Sequence, residues 1–254
     1  MPSNSILSEE VLLRRRENVF LILAGFFLSA MAILNLIGLT KFIQIGPLSV
    51  AVGILPYPLT FLCTDLISEL YGRKRASFLV WVGLGMNGFI LIILWLGHLI
   101  PAVSPERMPP WQLLSLAAPV SLPNGSIVEG SVELFQLISA CTSGVVFASM
   151  VAYITAQFSD VYLFHFWKKL TQGRHLWLRN NGSTLISQFI DSFMVILITF
   201  GAAFSRGDIG FAALMNLFLG NYAFKLIAAL LDTAPFYLGT YYLKHYLQAE
   251  QEIG

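Results

Sequence analysis

Charge is what this sequence has least of. Only 11% of its 254 residues are Asp, Glu, Lys or Arg, against about 25% in an ordinary soluble domain. With 56% hydrophobic residues and a mean hydropathy of +0.72, such a chain belongs in a bilayer. The net charge of +1 gives no basic surface for nucleic acid. Cysteine is scarce too. Cys63 and Cys141 lie inside apolar segments and read as small core residues, with no metal-ligand spacing around them. The four histidines, His98, His165, His175 and His245, are scattered and form no nucleophile–base or metal pair. No Walker loop or glycine-rich strand-to-helix turn is present, so neither an ATPase nor a cofactor site is expected.

Long apolar runs dominate what is there. Six segments are drawn as spanning helices: Val19–Leu39, Pro47–Ser68, Phe78–Ile100, Glu133–Ala156, Thr184–Phe204 and Phe211–Leu243. Each reaches the roughly 20 residues that cross a hydrocarbon core. Continuous rather than alternating apolarity argues for helices over a barrel. The expected fold is therefore all-α and polytopic, with tails at 1–18 and 244–254 around a membrane domain at 19–243. Arg14, Arg15 and Arg16 precede the first run, which is long enough to be a retained helix rather than a signal peptide. The last segment is over-long and must tilt, bend near Pro235 or run along the interface.

Basic residues set the expected orientation. Arg14–Arg16, Arg73–Arg75, Lys168, Lys169, Arg174, Arg179 and Lys244 fall on one side, eleven in all, against Lys41, Arg107 and Arg206 on the other. By the positive-inside rule both termini are cytoplasmic. The Pro101–Val132 connection then lies outside; it is proline-rich and carries Trp111 as an anchor. It reads as a cover, a short interfacial helix or an unstructured loop. Two groups of three helices permit an inverted repeat. Asp65 and Asp191, however, fall at similar rather than opposite depths.

The polar residues inside the apolar runs carry the functional argument. Pro56 and Pro58 should break the second helix near its middle. Irregular backbone at that depth must face protein or a watery cavity. Freed carbonyls and amides there bind ligand, or the prolines only shape packing. Asp65 and Glu69 share a helix face at i and i+4. Asp65 is an intramembrane acid and a functional candidate, whereas Glu69 with Arg73 reads equally as an interfacial ion pair. On the fifth helix Gln188 and Asp191 share a face, beside Ser187 and Ser192. On the sixth come Asn221, Lys225 and Asp232. Lys225 is either a structural partner for Asp191 or Asp232, or a proton-dependent latch. Asn87, among Gly83, Gly85 and Gly88, reads as helix packing. Carboxylates and amides beside Tyr57, Phe61 and Phe189 suit a flat, neutral or weakly cationic heterocycle. A carboxylate accepts adjacent N–H groups of a guanine-like edge in bidentate fashion, and rings stack on aromatics.

The run Pro56-Tyr57-Pro58-Leu59-Thr60-Phe61-Leu62-Cys63-Thr64-Asp65-Leu66-Ile67-Ser68-Glu69-Leu70-Tyr71-Gly72-Arg73-Lys74-Arg75-Ala76 resembles the signature of the bacterial queuosine precursor transporter family, also called vitamin-uptake-like transporters. Gln188-Phe189-Ile190-Asp191-Ser192 and Asp232-Thr233 with Pro235 resemble its two weaker markers. The resemblance covers about Phe20 to Leu243. It implies an inner-membrane protein that imports 7-cyano-7-deazaguanine, 7-aminomethyl-7-deazaguanine or queuine without an ATPase subunit. The reading that follows is a secondary transporter with protonation coupled to transport. Tyr57, Thr60, Phe61, Asp65, Gln188, Asp191 and Asn221 are its substrate contacts, and Glu69, Arg73, Lys225 and Asp232 serve coupling or gating. The alternative is a substrate-capture subunit of an ATP-driven vitamin importer, also a small six-helix protein. Six helices are few to enclose a pathway, which favours a homodimer.

Overall fold

The computed structural model describes residues 9–170 and 176–247. Seven α-helices carry the described chain: α1 (Glu9–Leu36), α2 (Tyr57–Tyr71), α3 (Arg73–Leu99), α4 (Leu134–Leu170), α5 (Leu176–Ser205), α6 (Phe211–Leu231) and α7 (Thr233–Tyr246). Five helical stretches are long and apolar enough to cross a membrane: Glu9–Leu36, Lys74–Leu99, Leu134–Ala156, Leu185–Ser205 and Phe211–Tyr246. The chain divides into two compact units. One takes the N-terminal part to Ala32, Pro56–Met86 and the chain from Ile227 on; the other takes Ile33–Leu55 and Asn87–Leu226.

The expected second helix, Pro47–Ser68, is corrected. Its first half is a hairpin, β1 (Phe42–Ile45) against β2 (Leu48–Ala51), followed by a 3₁₀ turn at Val52–Ile54. Ile45 pairs with Leu48, leaving Gly46 and Pro47 as a two-residue turn. Gly46 takes φ 60°, the positive φ that tight hairpin turns require. Phe42, Ile43, Ile45 and Val50 are the aromatic and β-branched residues that favour strands. The prolines do not break a helix; they begin one. Pro56 caps α2 and Pro58 sits in its first turn, where a missing N–H has no intrahelical partner to lose. At 15 residues, α2 is about 22 Å long, too short to span alone.

In the first unit α2 is central. Cys63 and Ile67 pack with Ala24 and Phe27 of α1 and with Ala76 and Leu79 of α3. Leu70 packs with Val19 and with Leu247 beyond α7. Gly72 ends α2 at φ 85°, its N–H on the Ser68 carbonyl at 3.0 Å, in an extended positive-φ conformation that glycine alone adopts readily. Its own carbonyl accepts from Arg75 and Ala76, so α3 starts at once. The basic cluster Arg73–Arg75 thus lies in the first turn of α3 rather than in a connection. The helix after Phe211 breaks at Asp232, three residues before Pro235. Proline has no N–H for the Leu231 carbonyl and its ring crowds that turn.

In the second unit the hairpin is held on two sides. Asn216 of α6 accepts from the Ser49 N–H at 2.7 Å and donates to the Pro47 carbonyl at 3.0 Å. At the other side Gly53 lies directly on the end of α1, so close that a Cβ there would sit 2.5 Å from the Leu34 carbonyl oxygen. The Pro101–Val132 connection holds no α-helix. It folds as a 3₁₀ turn at Pro105–Arg107 and four short strands, β3 (Leu113–Ser115) with β6 (Ser131–Glu133) enclosing β4 (Val120–Ser121) with β5 (Ile127–Val128). The tails before Glu9 and after Leu247, Arg174 and His175 lie outside the described residues, as do the side chains of Arg73, His165, Lys168 and Arg179.

The two glycine environments make a paired prediction. Gly53→Ala forces backbone against backbone and should cost about 1–3 kcal/mol. At Gly85 a methyl group would meet nothing within 4 Å, so Gly85→Ala should be neutral or stabilising by up to about 1 kcal/mol. Thermal unfolding in detergent should show Gly53→Ala several degrees below the wild type and Gly85→Ala at or above it.

Candidate functional site

The expected site residues fall into two sets, one in each unit. In the first unit, the start of α2 presents Tyr57 and Phe61 edge to face, with ring centroids 4.5 Å apart. Thr60 is buried and its hydroxyl donates back to the Tyr57 carbonyl at 2.7 Å. Thr64 does the same to Thr60 and Phe61, so both hydroxyls are spent on their own helix. Burial of Cys63, Leu66, Ile67 and Leu70 leaves Asp65, Ser68 and Glu69 on the exposed face of α2. The Asp65 carboxylate stands in the field of Asp232 at the α6–α7 break. Asp232 Oδ2 is buried and has no hydrogen-bond partner among the described residues. Two carboxylates so placed repel unless a proton or a cationic group comes between them.

The Arg73 side chain, offered by spacing as an ion-pair partner for Glu69, lies outside the described residues. The structure gives Glu69 a partner on another helix: Lys244 Nζ of α7 donates to Glu69 Oε1. Both side chains are a third or more exposed, so the pair contributes at most about 1 kcal/mol. Sequence spacing favoured Arg73 because it lies one turn on; Lys244 is 175 positions away and only the fold brings it near.

In the second unit, α5 and α6 bring four of the expected residues together. Lys225 Nζ donates to Asp191 Oδ2, and the two side chains are only 4% and 14% exposed. Beside them Ser192 donates to Asn221 Oδ1 at 3.2 Å. Gln188 is half-buried one turn before Asp191, and Ser187 is buried. Of the two partners offered to Lys225 by sequence, the fold selects Asp191; Asp232 lies past the helix break. Phe189 does not join this set. Two positions from Asp191 it is turned by about 200°, exposed, and packed on Phe193, Phe218 and Tyr222.

Two polar contacts go beyond what spacing suggests. Asn35 Nδ2 donates to Asn87 Oδ1 at 3.0 Å, with both residues 1% exposed. Asn87 therefore does serve helix contact, but through a hydrogen bond rather than through small-residue packing alone. A single Asn inside the first apolar run was the available signal. The other is the Asn216 grip on the hairpin. Among the described residues no three His, Cys, Asp or Glu side chains gather as a metal site.

Breaking the Asp191–Lys225 pair from one side strands a buried charge. Lys225→Met should lower stability by about 3–5 kcal/mol, and adding Asp191→Leu should recover most of it. Thermal unfolding of the single and double variants in detergent reads this directly.

Among known proteins, a family model described as "Putative vitamin uptake transporter" matches residues 51–239, which includes α2, both acidic sets and Lys225. A Bacillus subtilis (strain 168) protein described as "Probable queuosine precursor transporter" is 26% identical over 194 residues, covering 76% of this chain and 72% of that protein. No solved structure matches. With the matched span holding most of the apolar helices, the chain is a multi-pass membrane protein and belongs to the vitamin uptake transporter family.

Proposed function

We propose that this protein is a secondary transporter that imports 7-deazaguanine precursors of queuosine, 7-cyano-7-deazaguanine and 7-aminomethyl-7-deazaguanine, across a bacterial inner membrane. The observation that carries the reading is Asp232 Oδ2, buried with no hydrogen-bond partner among the described residues and in the field of Asp65, inside the family-matched span. Intramembrane acids without a basic partner are costly and mark substrate or proton pathways. Like charges so placed call for a proton or a donor between them. A guanine-like edge supplies adjacent N–H donors, and Asp65 accepts them in bidentate fashion. Tyr57 and Phe61, two turns and one turn before Asp65, offer ring faces to the heterocycle. The description of the Bacillus subtilis relative supports the same substrate class.

The remaining topology belongs to this reading. Six crossings, with the hairpin and α2 together forming the second, place both termini in the cytoplasm by the distribution of basic residues. Protonation of the acid pair is coupled to transport. In the second unit Gln188, Asp191 and Asn221 are the further polar residues assigned to substrate contact. Lys225 holds Asp191 until substrate or a proton competes for it. The protein works as a homodimer without an ATPase subunit.

Asp65→Asn keeps the shape and removes the charge. Loss of a charge-assisted contact weakens ligand binding about tenfold or more. The purified variant should fold and insert normally, and proteoliposomes containing it should lose uptake of labelled 7-cyano-7-deazaguanine. Normal uptake by the variant removes Asp65 from the site. Wild-type uptake that needs ATP and a second protein removes the secondary-transport reading.

A further inference from the structure

Asn216 and Lys225 are nine positions apart on α6. At about 100° per residue they point in opposite directions from the helix axis. Gly220 lies on the Asn216 side and Asn221 towards the Lys225 side. The two faces meet different elements. On one, Asn216 grips the hairpin backbone at both Ser49 and Pro47. Gly220 lets α6 approach so closely that a Cβ would fall 2.5 Å from the Ser49 carbonyl oxygen and 2.9 Å from Val50 Cγ1. On the other face, Lys225 meets Asp191 and Asn221 meets Ser192 of α5. The hairpin itself is backed at Gly53 by the end of α1.

From this arrangement we infer that Asn216 and Gly220 are positioning residues: by docking α6 on the hairpin they fix its rotation and so aim Lys225 at Asp191. A helix surrounded only by apolar side chains turns about its axis at little cost, because one greasy contact replaces another. Two hydrogen bonds to fixed backbone atoms remove that freedom, since rotation would leave the Ser49 N–H and the Pro47 carbonyl unpaired. The close fit at Gly220 adds a steric stop. The ion pair on the far face then needs no further support to stay in register. The consequence for transport rests on the reading of Asp191 and Lys225 as part of the transport site; the positioning itself does not.

The test is chemical labelling of lysines in the intact purified protein. Reductive methylation with formaldehyde, read by mass spectrometry, gives a rate for each lysine without any transport. In the wild type Lys225 should label far more slowly than exposed Lys74 and part-exposed Lys244. Asn216→Ala removes both grips, and Gly220→Ala pushes α6 off the hairpin. In each variant the Lys225 rate should rise severalfold while Lys74 and Lys244 keep their wild-type rates. Unchanged Lys225 protection in both variants overturns the inference. So does a rise shared equally by all three lysines, which reports general loosening rather than rotation. Raised Lys225 labelling with full uptake retained in proteoliposomes upholds the positioning role and removes the ion pair from the transport site.

Discussion

A backbone N–H or C=O without a partner is expensive wherever water is scarce, and this constraint governs the stretch from Lys41 to Tyr57. Elsewhere the apolar chain meets the constraint as helix, pairing each group with one four residues away. Here it runs as a two-stranded hairpin, which leaves outer edges open. The fold supplies the partners one by one. Val52 donates to the Lys41 carbonyl, and the side chain of Asn216 serves both Ser49 and Pro47. Gly53 and Gly220 keep the hairpin flush with its neighbours, where a larger residue would hold it away. The irregular backbone is thus a built element with assigned contacts rather than a flaw in a helix.

The same constraint, applied to charge, separates the two acidic sets. Asp191 has its counter-ion in contact. That pair is electrically neutral and the α5–α6 contact closes around it. Asp65 and Asp232 instead oppose charge with like charge, and Asp232 Oδ2 is enclosed without a donor among the described residues. A neutralised pair can remain static at no cost. A like-charged pair can rest only when something positive or protonated joins it. That difference separates the two sets electrostatically: one is neutralised by contact, the other is left with a buried acceptor.

Long helices were legible in the sequence because length and apolarity are local properties. The bend of the last segment was legible as well, since Pro235 acts on its own preceding turn. The partner of Asp191 was one of the alternatives that spacing offered for Lys225. The hairpin was not legible: Pro47 to Ser68 is apolar for the right length, and hydropathy does not tell a spanning helix from a strand pair followed by a short helix. Pro56 and Pro58 were read as a break inside a helix, whether for ligand or for packing; that they instead begin one is set by the first turn of α2. Glu69 with Lys244 and Ser49 with Asn216 are contacts across 175 and 167 positions. No periodicity in the chain encodes them. They arise when α2 meets α7 and when α6 meets the hairpin.

Polar groups inside apolar helices also bear on how motion can occur. A transporter must hold at least two arrangements of nearly equal free energy. Apolar contacts are interchangeable and discriminate weakly between arrangements, whereas an ion pair or an amide grip is satisfied in one geometry and broken in another. The described polar contacts between helices include Asn35 with Asn87, Ser192 with Asn221, Lys225 with Asp191 and Glu69 with Lys244, and Asn216 holds the hairpin. Each defines a joint that either stays closed through the cycle or opens at a cost of the order of a kilocalorie per hydrogen bond, and more for the ion pair. Opening the ion pair without a replacement would consume about 3–5 kcal/mol, a large share of the roughly 8 kcal/mol that a micromolar ligand returns. A substituting charge or proton would lower that cost, because the stranded partner is what makes the opening expensive.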